Sequence, residues 1–466
     1  MRQSLRTEPF AVPAEFDCLT RAMVRGVAAL FLFEVRLMRP AARITAAIEV
    51  LEDVLGRHRP TSEALADWGK AHRIAGSGDR SAIGSLVYDA LRRRSSFAWM
   101  MDADTPRALA IAAAGGAFSL TAEQVIGLCD GSQHAPSSLD DRERQGLTRS
   151  LDGAPPHVQA DVPEWIWPAF VANFGERAVA EGQALARRAP TDIRTNTLKT
   201  TREKLTRSLA SFGVQPTPFT PTGLRIAAPT GTERIPNLAA EAAFQAGWFE
   251  VQDEGSQVAA MLAGAGSRMQ VLDMCAGAGG KTLAMAAAMA NSGQIYAYDD
   301  DRMRLKPIFE RLKRAGARNV QTLRARDTAA LDALGARFDL VLVDAPCTGT
   351  GVWRRRPDAK WRLRPTSLET RQREQREVLG RAAGLVKPGG RLVYVTCSLL
   401  PDENRASVAW LRGELPRFHL EPTASIWPAA VGPAPRSADG AIDSLLLTPA
   451  SHETDGFFIA SLRLAD

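Results

Sequence analysis

Cysteine is scarce, with five in 466 residues, which excludes a small scaffold stapled by disulfides. No apolar run approaches the roughly 18 residues of a membrane-spanning helix. The longest, Gly26 to Phe33, has eight residues. Arg21 and Arg25 precede it, but no small-residue cleavage pattern follows, so a secretory leader is not expected. There is no C-x-x-C pair and no cluster of histidines, so no metal site is expected. No internal repeat is present. These absences point to a soluble, cytoplasmic protein in a reducing setting, with no membrane partner, and a monomer is expected.

What remains is ordinary for a globular chain: 45% hydrophobic and 24% charged residues. At roughly 150 residues per domain, the length suggests about three domains. Lys plus Arg total 58 against 52 Asp plus Glu, a net charge of +6, which favours an anionic partner such as nucleic acid.

Residues 1–40 show no sustained period and are expected to be a loose extension or a mis-assigned start. Helical spacing begins at residue 41, where Ile44, Ile48, Leu51 and Leu55 share one face. A second helix is expected over 79–94, with Ile83, Leu86, Val87, Ala90 and Leu91 on one face, and residues 106–128 also look helical. Residues 41–135 therefore read as a small all-helical domain. Residues 136–162, rich in Gly, Ser, Pro, Asp and Arg, read as a linker. Residues 163–250 read as a small α/β subdomain with strands at 193–198 and 223–227. From residue 251 to 466, apolar runs at 270–274, 294–298, 319–323, 340–343 and 391–395 alternate with helical stretches. That alternation predicts an α/β fold with a parallel, doubly wound sheet.

The first run leads into Cys275-Ala276-Gly277-Ala278-Gly279-Gly280-Lys281-Thr282, a strand, glycine turn and helix start. Glycines admit positive φ and let a ligand approach the backbone, and the helix N-terminus adds free N–H groups. The spacing matches neither a P-loop, which needs glycine where Cys275 stands, nor a G-x-G-x-x-G fingerprint. The second run ends at Asp299, 22 residues after Gly277, where an acid is placed to bind a ribose diol. Asp327 follows the third run. A glycine turn with these two acids suits an adenosine ligand lacking pyrophosphate, and S-adenosylmethionine fits.

The fourth run ends in Asp344-Ala345-Pro346-Cys347 and the fifth in Thr396-Cys397-Ser398. Ligands of open α/β sheets bind beyond the carboxyl ends of the strands, so both cysteines aim at the rim that carries the glycine turn. A thiol beside a methyl donor suits pyrimidine chemistry. Thiolate addition at C6 makes C5 nucleophilic enough to take a methyl group, after which a proton leaves C5 and the thiolate is eliminated. Such a pocket should lower the thiol pKa, and a second thiol could assist elimination.

These stretches, with Arg304-Leu305, Gly351, Arg355, Pro357-Asp358, Pro401-Asp402-Glu403-Asn404, His452 and Asp455-Gly456-Phe457-Phe458, resemble the RsmB/Sun-type (NOP/Sun) family of RNA (cytosine-5) methyltransferases. Arg194 to Lys199 and Val251-Gln252-Asp253 are similar to it upstream, so the resemblance runs from about 160 to 463. It implies a class I, Rossmann-like methyltransferase sheet. Cys397 would be the nucleophile on cytosine C6, and Cys347 would assist release. Cys275 to Lys281 would hold the methionine part of S-adenosylmethionine, with Asp299 on the ribose and Asp327 near the adenine. Asp344 would lie between cofactor and base, with Lys281 in reach. The family turn usually reads Ala-Ala-Pro-Gly-Gly-Lys; Gly277-Ala278 here replaces Ala-Pro, and loss of the proline is expected to loosen the turn. The helical N-terminal part, centred on Asp79-Arg80 through Leu91, is similar to a NusB-like RNA-binding domain.

Between Arg354 and Arg376 stand nine Lys/Arg and three Asp/Glu, with Trp353 and Trp361 among or beside them. Cations that meet phosphates and tryptophans that stack on unpaired bases would make this an RNA surface. The resemblance implies small-subunit ribosomal RNA as the substrate. The competing readings are a tRNA or DNA cytosine-5 methyltransferase and a non-catalytic ribosome-assembly factor.

Overall fold

A computed structural model of the protein describes residues 38–231, 233 and 236–466. All but the last three residues of the expected extension 1–40 lie outside the described residues.

The N-terminal part is helical. The helix Pro40–Arg57 starts with proline in its first turn, where the missing N–H costs nothing. It buries Ile44, Ala47, Val50, Leu51 and Val54, whereas Ile48 and Leu55 of the expected stripe are half-buried. The contact face runs through the small residue Ala47 because this helix packs closely on Ser77–Arg92 and Pro106–Phe118. Ser77–Arg92 buries all five residues of its expected face. Pro106–Phe118 buries seven of thirteen residues and forms the middle of the bundle. The helical stretch expected over 106–128 forms two helices. Ser119 takes a left-handed conformation at φ 56°, and Thr121 then caps Ala122–Leu128 in a capping box with Gln124.

The stretch 136–162 differs from a free linker. Leu139, Ala154, Ala160 and Val162 are buried, and Asp140 caps the short helix Asp141–Gly146. Asp161 is buried and accepts hydrogen bonds from Ser96 N (2.9 Å) and Ser96 Oγ (2.8 Å). Its turn-forming residues punctuate short helices that bury isolated side chains, which leaves no period to read.

Two sheets follow. Strands β1 (Thr191–Thr195), β2 (Gln215–Pro216), β3 (Gly223–Ile226) and β4 (Phe249–Val251) form an antiparallel sheet in the order β2-β3-β1-β4. The second sheet contains β5 (Gln270–Asp273), β6 (Gln294–Ala297), β7 (Val320–Thr322), β8 (Phe338–Asp344), β9 (Val386–Thr396), β10 (Phe418–Glu421), β11 (Leu445–Leu447) and β12 (Phe457–Leu464). Its order is β10-β12-β9-β8-β5-β6-β7, with β11 beside β12. The five expected strands are parallel to one another. The last three are antiparallel, so the sheet is mixed.

Strand periodicity divides the core. Leu272, Val341, Val343, Leu392 and Tyr394 join the hydrophobic cluster on one face. Val271, Leu340, Leu342, Val393 and Val395 join the cluster on the other. Both faces are covered, which is why these strands read as unbroken apolar runs. Full burial of each such side chain favours folding by roughly 1.5–3 kcal/mol.

Candidate active site

Because β6, β5, β8 and β9 are parallel neighbours, their carboxyl ends share one rim. The turn after β5 is fastened by backbone bonds from Met274 N to Leu342 O, Ala276 N to Tyr298 O and Gly279 N to Ala276 O, each 2.8 Å. Arg311 Nη1 also donates to Ala278 O at 2.7 Å. These bonds hold the turn that lacks the family proline. Gly279 has φ +83°, and a Cβ there would fall 2.5 Å from Ile308 Cγ1, so backbone and neighbour both demand glycine.

Asp299 is buried at the end of β6. Its Oδ2 accepts from Gly277 N and its Oδ1 from Asp301 N, both at 2.8 Å. Lys281 Nζ pairs with Asp344 Oδ2 at 2.8 Å and lies 5.2 Å from the centre of the Phe457 ring. Gln252, Asp273, Cys275, Gly277, Lys281 and Asp344 are among the residues lining a cavity of about 390 Å³. A second cavity, about 820 Å³, is bounded by residues of the segments 301–309 and 323–326 after β6 and β7. Asp327 lines neither cavity. It caps the helix Thr328–Asp332, accepting from Ala330 N at 3.0 Å.

Asp273 ends β5 beneath the turn. Its Oδ2 accepts from Thr282 Oγ1 at 2.6 Å, while Oδ1 is buried with no hydrogen-bond partner. Burial pushes its pKa up to about 7. The Cys275 thiol is also pushed well up, by burial and then by Asp299, Asp344 and Asp273.

Cys347 Sγ and Cys397 Sγ lie 3.4 Å apart. The Cys347 thiol is pushed well above its ordinary value by its hydrogen bond to Cys397 and by burial. No group of three or more metal-binding side chains occurs among the described residues. No described helix is long and apolar enough to cross a membrane.

The RNA surface expected over 354–376 is corrected. Trp353 is fully buried and stacks on Phe170, with ring centroids 5.9 Å apart. Trp361 is half-buried and donates its Nε1–H to Leu91 O at 2.6 Å. Arg354 and Arg355 pair with Asp455 and with Asp253. Lys360 is buried and donates to Arg92 O (2.9 Å) and Asp161 O (2.6 Å). Lys360 thus joins this stretch to the helical part, whereas Arg354 and Arg355 tie it to the segments after β4 and before β12; Arg356, Arg364, Arg373 and Arg376 remain exposed. The sequence reading missed Asp273 and assigned no role to Glu403, Phe457 or Asp455. An acid at the strand end, directly before a glycine turn, was the available signal for Asp273.

The family model described as 16S rRNA methyltransferase RsmB/F matches residues 260–463. The RsmF/B-like ferredoxin-like domain model matches residues 162–233. The chain is 32% identical to a probable ribosomal RNA small subunit methyltransferase B of Synechocystis sp., over 66% of this chain and 68% of that one. It is 33% identical to ribosomal RNA small subunit methyltransferase F of Cronobacter sakazakii, over 66% of this chain and 63% of that one. Among solved structures, NSun6 from Pyrococcus horikoshii with SFG, an S-adenosylmethionine analogue, has a TM-score of 0.58 at 25% identity. That match covers 66% of this chain and 99% of the other.

Proposed function

Since the chain belongs to the RsmB/F family of 16S rRNA methyltransferases, we propose that it methylates C5 of a cytosine in small-subunit ribosomal RNA, using S-adenosylmethionine. The observation that carries the reading is the pair of sulfurs 3.4 Å apart, on the rim that also carries the glycine turn.

The residues present fit the cofactor. Asp273 Oδ1 is a buried acceptor without a partner and would take the cofactor's ammonium. Gly277, at φ +50°, would have no atom within 3.7 Å of an added Cβ, which leaves room for close backbone approach. Asp299 would accept from the ribose hydroxyls. Met303, Leu305 and Phe309 offer apolar walls for the adenine in the wider cavity. When bound, S-adenosylmethionine supplies an electrophilic methyl group.

The chain's own residues would supply the rest. The thiolate of Cys397 adds to cytosine C6, forming the S–C6 bond and moving an electron pair toward C5 and the ring. C5 then takes the methyl group. A base removes the C5 proton, the S–C6 electron pair returns to sulfur, and the 5,6 double bond re-forms. Cys347 assists this elimination. Lys281, paired with Asp344 beside Phe457 and lining the cavity at the glycine turn, would orient the base. The cytosine must leave any stack to reach Cys397. On this reading RNA is the partner, no resident metal is needed, and the enzyme works as a monomer in the cytoplasm.

The test is Cys347→Ser expressed in cells, followed by isolation of RNA that stays attached through denaturation. An adduct that disappears in Cys347→Ser/Cys397→Ser is the expected outcome, and sequencing the RNA identifies the target. A folded, cofactor-binding Cys347→Ser protein without adduct would refute the release role of Cys347. Wild-type protein that methylates no cytosine would turn the reading toward an assembly factor.

A further inference from the structure

Glu403 is fully buried seven residues beyond Thr396, in the loop that leaves β9, and no lysine, arginine or histidine pairs with it among the described residues. A buried carboxylate without a countercharge is costly unless hydrogen bonds satisfy it. Here its oxygens accept four. Oε1 accepts from Thr348 N at 2.8 Å and Gln375 Nε2 at 3.0 Å. Oε2 accepts from Thr348 Oγ1 and Ser398 Oγ.

Thr348 and Ser398 are the residues that directly follow Cys347 and Cys397. One carboxylate therefore fastens the two cysteine loops to each other. The surrounding bonds tighten the same knot. Gln375 Nε2 also donates to Pro346 O at 2.9 Å, and Tyr394 Oη donates to Glu403 O at 2.6 Å. Gly351 N donates to Cys397 O at 2.9 Å.

A fastener alone needs only hydrogen-bond acceptors, which a glutamine could partly supply. The negative charge does something else: it makes a second anion nearby unfavourable. Glu403 is one of the charges that hold the Cys347 thiol up. The titratable groups that act most on Cys347 are Cys397 and Glu403, and Tyr394 lies beside them; none of these three is cationic. The Cys347 thiol therefore keeps its proton, and its sulfur lies within hydrogen-bond distance of Cys397 Sγ.

We propose that Glu403 is the positioning residue of the thiol pair: its hydrogen bonds set the separation of Cys347 and Cys397, and its charge disfavours a second anion at Cys347. This rests on the cytosine-5 methyltransferase reading for its purpose, but its structural content can be tested without RNA or cofactor.

The experiment compares full-length wild type, Glu403→Gln and Glu403→Asp. The pH profile of iodoacetamide alkylation at Cys347 is read by mass spectrometry of the peptide that carries it. Glu403→Gln, which keeps the shape and loses the charge, is expected to move the alkylation midpoint down by about one pH unit or more. Glu403→Asp, which keeps the charge and loses reach, is expected to leave the midpoint near wild type. It should still lower kcat for RNA methylation at least about tenfold, with KM for S-adenosylmethionine within about twofold. Identical profiles in wild type and Glu403→Gln would overturn the charge role.

If either variant fails to fold, Ser398→Ala and Thr348→Val each cut one tie and leave the charge in place. Both are expected to lower kcat without moving the alkylation midpoint. Unchanged kcat in both would overturn the fastening role. Wild type inactive on every RNA, but with the alkylation shift intact, would refute the functional reading while leaving the positioning geometry standing.

Discussion

Replacing Asp273 by asparagine tests how the cavity holds its ligand. The carboxylate is fully enclosed, with one oxygen bonded to Thr282 Oγ1 and the other unpartnered. Its pKa rises from 3.8 to about 7. A shift of that size corresponds to roughly 4 kcal/mol between the two protonation states. Because the folded value lies above the unfolded one, the stabilisation is whole below pH 3.8 and lost as pH rises through about 7. Urea denaturation of cofactor-free wild type should therefore weaken across that window, and Asp273→Asn should not show this component.

Cofactor binding reverses the preference, since an ammonium beside Oδ1 favours the ionised carboxylate. Below pH 7 the proton must leave first, so the Kd for S-adenosylmethionine should rise about tenfold for each pH unit of acidification. Above about pH 8 the cofactor's own amino group loses its charge and affinity falls again. Titration calorimetry between pH 5.5 and 8.5 should give a bell with its maximum between these limits. Asp273→Asn should lose the acid limb and bind more weakly at pH 7.5 by roughly 1.5–3 kcal/mol. A wild-type Kd that is flat from pH 5.5 to 7.5, or an acid limb retained in Asp273→Asn, would refute the assignment of Oδ1 to the ammonium.

Gly279→Ala should distort the turn, since φ is +83° and the new Cβ would meet Ile308 Cγ1 at 2.5 Å. Strain and overpacking together should cost roughly 2–4 kcal/mol, read as a lowered Tm and weaker cofactor binding. Trp353→Ala should destabilise the fold by roughly 3–5 kcal/mol in chemical denaturation and leave the RNA affinity of the folded protein unchanged. A stable Trp353→Ala protein with a selective loss of RNA binding would show that this ring does contact RNA.

Local pattern was enough to read the elements and residues whose chemistry lies close together in the chain. The five parallel strands stood out as apolar runs because both faces of the sheet are covered. The glycine turn was legible because φ +50° at Gly277 and +83° at Gly279 exclude most other residues. Asp299 and the two cysteines were legible because strand ends in such a sheet converge on one rim. The antiparallel strands β10 to β12 were not: they pair with each other and with β9, and no local period announces that. The fate of the cationic stretch was equally hidden. Arg354 and Arg355 find Asp253 and Asp455 about a hundred residues away, and Trp353 finds Phe170. A charge run reads the same whether it meets RNA phosphates or distant carboxylates, because composition records the charge and not its partner. The same limit applies at the rim. Residue types and strand ends, which are local, determine that two thiols and a glycine turn share one rim. The 3.4 Å between the sulfurs, the buried Glu403 that ties their loops, and the Asp273 oxygen without a partner arise from the packing of remote segments, and only the tertiary structure decides them.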